Sequence, residues 1–340
     1  MNNKLNKLFA KGSEFLGCEY PIICGAMTWI SEPNLVAAVC DAGGFASLAG
    51  GNAPVDILRE QICEMRKLTD KNFGLNLITI APGYKEHLKM LKDLKLSYII
   101  FAGSFPKEKE IAIAKESGAK VMCFASTLSI AERMIRFGAD SIILEGSEAG
   151  GHIGHVSATV LMQQVLFEVR EKIPVFVAGG IANGKMLAHV MAMGATGVQL
   201  GTRFVMTDEC QAHPAFKDAF RRANARDAIS TPQFDSKLPV VAVRSLKNKG
   251  LQQFGQLQLK LLKAMEAGEI HREQAQEEVE KFWIGALRQA AIDGDIQNGS
   301  LMAGQSVGLV DKVMPTKKLM EELINDAGKE LEYMERVLKF

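Results

Sequence analysis

No apolar run in this chain approaches the roughly 20 residues that a helix needs to cross a bilayer. The start, Met1-Asn-Asn-Lys-Leu-Asn-Lys-Leu-Phe9, lacks the continuous apolar stretch of a secretory signal. A cytoplasmic protein that neither enters nor spans a membrane is therefore expected. Cysteine is sparse and unpatterned: Cys18, Cys24, Cys40, Cys63, Cys123 and Cys210 form no CxxC pair and no zinc spacing. That argues against a disulfide scaffold, and reduced thiols are expected. Cys24, at a strand end, could line a site; a small hydrophobe in the core is the expected role. A charge bias is missing too, with 40 Lys and Arg against 39 Asp and Glu, so no nucleic-acid partner is expected. GxSxG, HExxH, Walker A and strand–GxGxxG–helix patterns are all absent. What remains is the composition of an ordinary globular protein, 47% hydrophobic and 23% charged over 340 residues, long enough for one large domain or two smaller ones.

Short apolar runs alternate with amphipathic stretches through the first 200 residues. Strands are expected at 21–24, 44–48, 73–77, 97–101, 119–123, 141–144, 174–178 and 197–200. Their spacing matches a strand, a helix and two loops. Helical periodicity runs over 56–68 and 128–137, and Gly43, Gly118, Gly138 and Gly194 stand where helices should stop. Eight such units predict a TIM (β/α)8 barrel; a doubly wound open sheet is the competitor, with usually fewer strands. After Arg203 the rhythm stops. Residues 207–298 read as a smaller, mostly helical inserted domain, with helices over 252–265 and 272–291 and a loop at 230–239. The barrel is thus expected over 1–206, with 299–340 as a return segment ending in a helix over 317–338.

In a barrel the reactive face is built from loops at the C-terminal strand ends. The segment Glu145-Gly-Ser-Glu-Ala-Gly-Gly-His152-Ile-Gly-His155 follows the sixth strand and joins glycines to histidine. Glycines permit close backbone approach to a ligand, and histidine can titrate near neutral pH. After strands seven and eight come Ala178-Gly-Gly-Ile and Gln199-Leu-Gly-Thr202, which suit a phosphate held by backbone N–H groups. Two tight turns would give the same pattern. Asn76, inside an apolar strand, needs either a ligand heteroatom or a backbone partner if buried. Glu145 and Glu148 could pair with a histidine on a metal, but no second ligand cluster is visible and no metal is expected. The role of His155 stays open.

At these residues the chain resembles a known family. Glu-Ala-Gly-Gly-His-Ile-Gly (148–154), Ala-Gly-Gly-Ile (178–181) and Gln-Leu-Gly-Thr-Arg-Phe (199–204) look like those of FMN-dependent nitronate monooxygenases. Relatives include the flavin-dependent type II enoyl-acyl carrier protein reductases known as FabK. The match covers nearly the whole chain. Gly-Gly-Asn-Ala-Pro (50–54) and Gly-Ser-Leu-Met-Ala-Gly-Gln (299–305) look closer to the enoyl reductase branch.

The resemblance implies FMN with its phosphate against Gly179, Gly180, Gly201 and Thr202. Asn76, Glu145, Gly150 and Gln199 match positions that contact the flavin, and Gly25, Ala26 and Met27 would run beside its ring. Ala26 stands where relatives often carry glycine. His152 matches the catalytic histidine. The implied reaction is NADH- or NADPH-dependent reduction of an enoyl thioester on acyl carrier protein or coenzyme A, as in fatty acid synthesis. Met302, with Met27, could form the apolar wall for the acyl chain; ordinary core packing is the alternative. Nitronate oxidation by FMN and O2, or flavin binding without turnover, are the rival readings. A homodimer is a further expectation from the resemblance.

Overall fold

The computed structural model describes residues 3–51, 53–238 and 240–338. Asn52 of the Gly-Gly-Asn-Ala-Pro motif and Pro239 of the predicted loop lie outside the described residues. The strands are β1 (Ile22–Cys24), β2 (Phe45–Ala49), β3 (Gly74–Ile78), β4 (Tyr98–Ala102), β5 (Lys120–Ala125) and β6 (Ser141–Glu145). Then come β7 (Gly151–Ile153), β8 (Val175–Ala178), β9 (Gly197–Leu200), β10 (Ala228–Ser230) and β11 (Ala242–Leu246). All of these but β7, β10 and β11 pair in parallel and close into an eight-stranded barrel, with β9 returning to β1. Each of the eight expected strands is present within two residues of its predicted ends. The four glycines expected to stop helices do so, at φ of 86°, 89°, 94° and 102°, values that L side chains rarely adopt.

The strands are buried on both faces, so their side chains sort by parity. Ile22, Cys24, Ile142, Leu144, Val175 and Val177 face outward into the main core beneath the helices. Ile23, Phe45, Ile100, Met122, Ile143 and Phe176 face inward and fill the barrel. The floor is sealed by the N-terminal helix Asn3–Leu16 and its end: Leu16 joins the inner cluster and the Tyr98 hydroxyl donates to the Phe15 carbonyl at 2.6 Å. Two residues further along the inward parity the chemistry changes, to Ser47, Asn76, Glu145 and Gln199. Layering of this kind places an apolar plug below a polar floor.

After β9 the chain leaves the barrel. The helix Pro214–Arg222 buries Phe216 and Phe220 in the main core. The helices Lys249–Glu266 and Arg272–Ala291 form a separate cluster with β11, in which Trp283 stacks on Phe254 at 4.2 Å between centroids. One element here was not anticipated from the sequence: β10, β11 and β7 form a three-stranded antiparallel sheet. The terminal helix Thr316–Leu338 then returns to the barrel. It crosses the helix Gly184–Ala192 so closely that a Cβ at Gly184 would lie 2.0 Å from the Leu323 carbonyl oxygen. No helix among the described residues is long and apolar enough to cross a membrane.

Candidate active site

A cleft of about 360 Å³ opens at the C-terminal ends of the barrel strands and is roofed by the helix Arg272–Ala291. The site residues that the resemblance implies line it: Gly25, Ala26, Met27, Asn76, Glu145, Gly150, His152, Gly179, Gly180, Gln199, Gly201, Thr202 and Met302. Cys24 does not; it is fully buried in the core, and all six cysteines are free thiols.

The inward polar layer forms the floor. Asn76 lines the cleft, is 8% exposed, and its side-chain amide has no partner among the described residues. Glu145 ends β6 with no ion pair, and burial pushes its pKa up to about 8. Gln199 lies across Gly25, where a Cβ would come within 2.9 Å of its amide nitrogen. The β1 loop is held by Ser31: the Met27 N–H donates to its Oγ at 2.9 Å, and that hydroxyl donates to the Gly25 carbonyl at 3.0 Å. Trp29, at φ 66°, donates from its Nε1 to the Ile284 carbonyl at 3.2 Å and ties this loop to the roof.

The glycines after β8 and β9 form a cradle. Gly179 and Gly180 take φ of 95° and 73°. The N–H groups of Gly179, Gly180, Gly201 and Thr202 have no acceptor among the described residues. A Cβ at Gly201 would meet only the Met27 sulfur, at 3.6 Å. The Thr202 hydroxyl accepts from the Gly304 N–H at 3.0 Å, which pins the return segment over the cradle. Gly150 serves the same crossing: a Cβ there would stand 2.5 Å from the Gly304 nitrogen.

His152 occupies the middle of β7, opposite Val243 of β11. Its Nε2 is buried without a hydrogen-bond partner, and the nearest charge is the Glu280 carboxylate at 3.7 Å. That separation is too long for a direct hydrogen bond. Trp283, one helical turn on from Glu280, also lines the cleft, and its indole Nε1 has no partner. Two nitrogens on opposite elements thus lack a partner at one cleft. Of the six buried side-chain nitrogens and oxygens without a partner among the described residues, only these two belong to residues that line the cleft.

Glu280, Trp283, Ile284 and Leu287 were missed from the sequence. Their spacing on one helical face was legible, but nothing in it said that this face turns back onto the barrel. His155 is an exposed residue that lines a second cavity behind β7, not the cleft.

The sequence matches the nitronate monooxygenase family over residues 11–94 and 78–326. FabK from Thermotoga maritima superposes with a TM-score of 0.84 at 34% identity, over 96% of this chain and 98% of that one. Nitroalkane oxidase from Streptomyces ansochromogenes gives 0.76 at 27% identity, over 95% and 99%. A (3aS,4S,5R,7aS)-5-hydroxy-7a-methyl-1-oxo-octahydro-1H-indene-4-carboxyl-CoA dehydrogenase from Mycobacterium tuberculosis is 29% identical, over 93% of this chain and 95% of its own. With a closed barrel, a glycine cradle and a cleft-facing histidine on the matched segments, the chain belongs to the nitronate monooxygenase family of oxidoreductases.

Proposed function

We propose that this chain is an FMN-dependent oxidoreductase that uses NADH or NADPH to reduce the carbon–carbon double bond of an enoyl thioester. One observation carries the reading: a single cleft combines a cradle of free N–H donors, a polar floor, and the unpartnered nitrogens of His152 and Trp283. The flavin phosphate suits the cradle because four backbone donors there need an acceptor and the glycines leave room for it. Asn76, Gln199 and Glu145 offer polar contacts to the rest of the cofactor. When bound, FMN supplies the hydride chemistry, which no side chain of this protein can.

The chain's own residues hold and protonate the substrate. The His152 Nε2–H donates a hydrogen bond to the thioester carbonyl as negative charge builds on its oxygen, then gives that proton to the α-carbon and is reprotonated from solvent. The Trp283 Nε1–H supplies a second donor to the same oxygen. Met27, Met302, Ile284 and Leu287 exclude water and give an acyl chain an apolar wall. Support for a thioester comes from the higher identity to FabK than to the nitroalkane oxidase, and from the carboxyl-CoA relative. The carrier is then acyl carrier protein or coenzyme A.

Nitronate oxidation has support of its own in the family match and the nitroalkane oxidase. A nitronate would leave most of the apolar wall unused. Anaerobic mixing with NADH or NADPH, followed by crotonyl thioester, separates the two. Loss of flavin absorbance and its return on adding the thioester are expected. If the thioester restores nothing, while an alkyl nitronate consumes O2 without nicotinamide, the reductase reading fails.

A further inference from the structure

The small sheet that carries His152 has a second face. Side chains alternate along its strands, so His152 and Val243 point one way while Ile153, Ala242 and Arg244 point the other. Behind that far face lies a cavity of about 380 Å³, lined among others by Ser147, Ile153, His155, Thr231, Ala242 and Arg244. It shares Ile153 and Gly154 with the cleft and is otherwise separate from it.

Arg244 is the unusual member. It is 9% exposed, and its Nε and Nη1 donate to the Ser147 and Ala228 carbonyls at 2.9 and 2.6 Å. Those acceptors hold the guanidinium without neutralising it. Among the described residues no carboxylate lies within ion-pair distance of Arg244. Burial weighs against its charge, with Glu148 only a partial counterweight. The Glu148 carboxylate is itself engaged by the Ala158 N–H at 3.0 Å. A buried guanidinium with no carboxylate in contact is expensive, and three of its five N–H donors remain unassigned.

Thr231 and His155 can add donors to the cavity wall. Thr231 is 6% exposed and its Oγ1 accepts from the Val243 N–H at 2.9 Å, which leaves the hydroxyl proton free to donate. His155 stands at the rim with no partner among the described residues. Gln233 does not contribute, because its amide donates to the Asp235 and Leu238 carbonyls of its own loop. A buried guanidinium with free donors, flanked by a hydroxyl and an imidazole, selects a ligand with several acceptor oxygens and negative charge.

We infer that this cavity binds a phosphate group, free or carried by a larger ligand, with Arg244 as its counter-ion and Thr231 and His155 as further donors. The inference does not depend on what occupies the cleft. Because β7 is the shared wall, an occupant would also brace the strand that bears His152.

The test is isothermal titration of the FMN-saturated protein with inorganic phosphate, so that the cradle in the cleft is already filled. If the protein takes up no FMN, its spectrum reports that failure separately, and the titration is made on the protein as purified. One saturable site is expected, weakened at least tenfold in Arg244→Met and severalfold in His155→Ala. The His155 ring contacts no hydrogen-bond partner, so that variant should melt with the wild type. If Arg244→Met does not fold, Arg244→Lys, which keeps the charge but not the fork, should still weaken phosphate measurably. Coenzyme A and NADPH are then added as competitors. Displacement of phosphate by either, lost in Arg244→Lys, would identify the site as an anchor for a ligand's phosphate; binding of phosphate that neither displaces would identify free phosphate as the occupant. Absence of phosphate binding, or binding unchanged in both Arg244→Lys and His155→Ala, would overturn the inference.

Discussion

The Glu145 carboxyl gives the most quantitative test of the polar floor. It ends β6 on the inward parity, without a hydrogen-bond or ion-pair partner among the described residues, and burial pushes its pKa from 4.5 up to about 8. The native state therefore holds a proton that the unfolded chain releases across that window. Stability from this group is complete below about pH 4.5 and is lost as pH rises towards 8. At about 1.4 kcal/mol per pH unit the ceiling is about 5 kcal/mol, and water reaching the floor through the open cleft brings the expected loss to roughly 2–4 kcal/mol. Urea unfolding of ligand-free wild type and Glu145→Gln, in steps between roughly pH 5 and 9, measures it. Glutamine is a neutral isostere, so the other titrations cancel in the difference. Wild type should lie closest to the variant near pH 5, fall progressively below it up to about pH 8 and level off beyond. A flat difference, or a wild type that gains on the variant with rising pH, would mean an ionised and paired carboxylate and would refute the reasoning.

Other outcomes follow from the same geometry. Gly150→Ala drives a Cβ into the backbone of Ala303 and Gly304; a loss of about 1–3 kcal/mol in urea unfolding is expected, with weaker flavin binding. Trp283→Phe keeps a ring against Phe254 but removes the indole N–H together with atoms of its second ring, so a stability loss of about 1–3 kcal/mol is expected in urea unfolding, while kcat/KM for the thioester falls by about 10²-fold, as for loss of one oxyanion donor. His152→Ala should lower the rate at which enoyl thioester reoxidises the reduced enzyme by about 10²–10⁴-fold, read by stopped flow, without changing the affinity for FMN.

Much of this was legible in the sequence because barrel strands carry strong local signals. The helix Arg272–Ala291 and the glycine stops after four helices were fixed by periodicity and by a backbone conformation that favours glycine. The cleft residues at strand ends, from Gly25 to Thr202, were legible because chain order alone assigns strand ends to one face. The rest depends on contacts distant in sequence. β7 is three residues long and exists only because β11 pairs with it from 90 residues away. Nothing in the sequence singled out Arg244, and only the fold shows it buried with no carboxylate in contact among the described residues. Glu280 and Trp283 reach the cleft because their helix is turned back over the barrel by the sheet and the return segment.

The claim on which the functional account rests is that the glycines after β8 and β9, with Thr202, hold the phosphate of a flavin. Titration of the ligand-free protein with FMN and with riboflavin, followed by flavin absorbance and fluorescence, tests it most directly. The account predicts that FMN binds at least about 100-fold more tightly, on the order of 2.7 kcal/mol, because riboflavin leaves the cradle's donors unmet. Equal affinity for the two flavins, or no uptake of either, would contradict it.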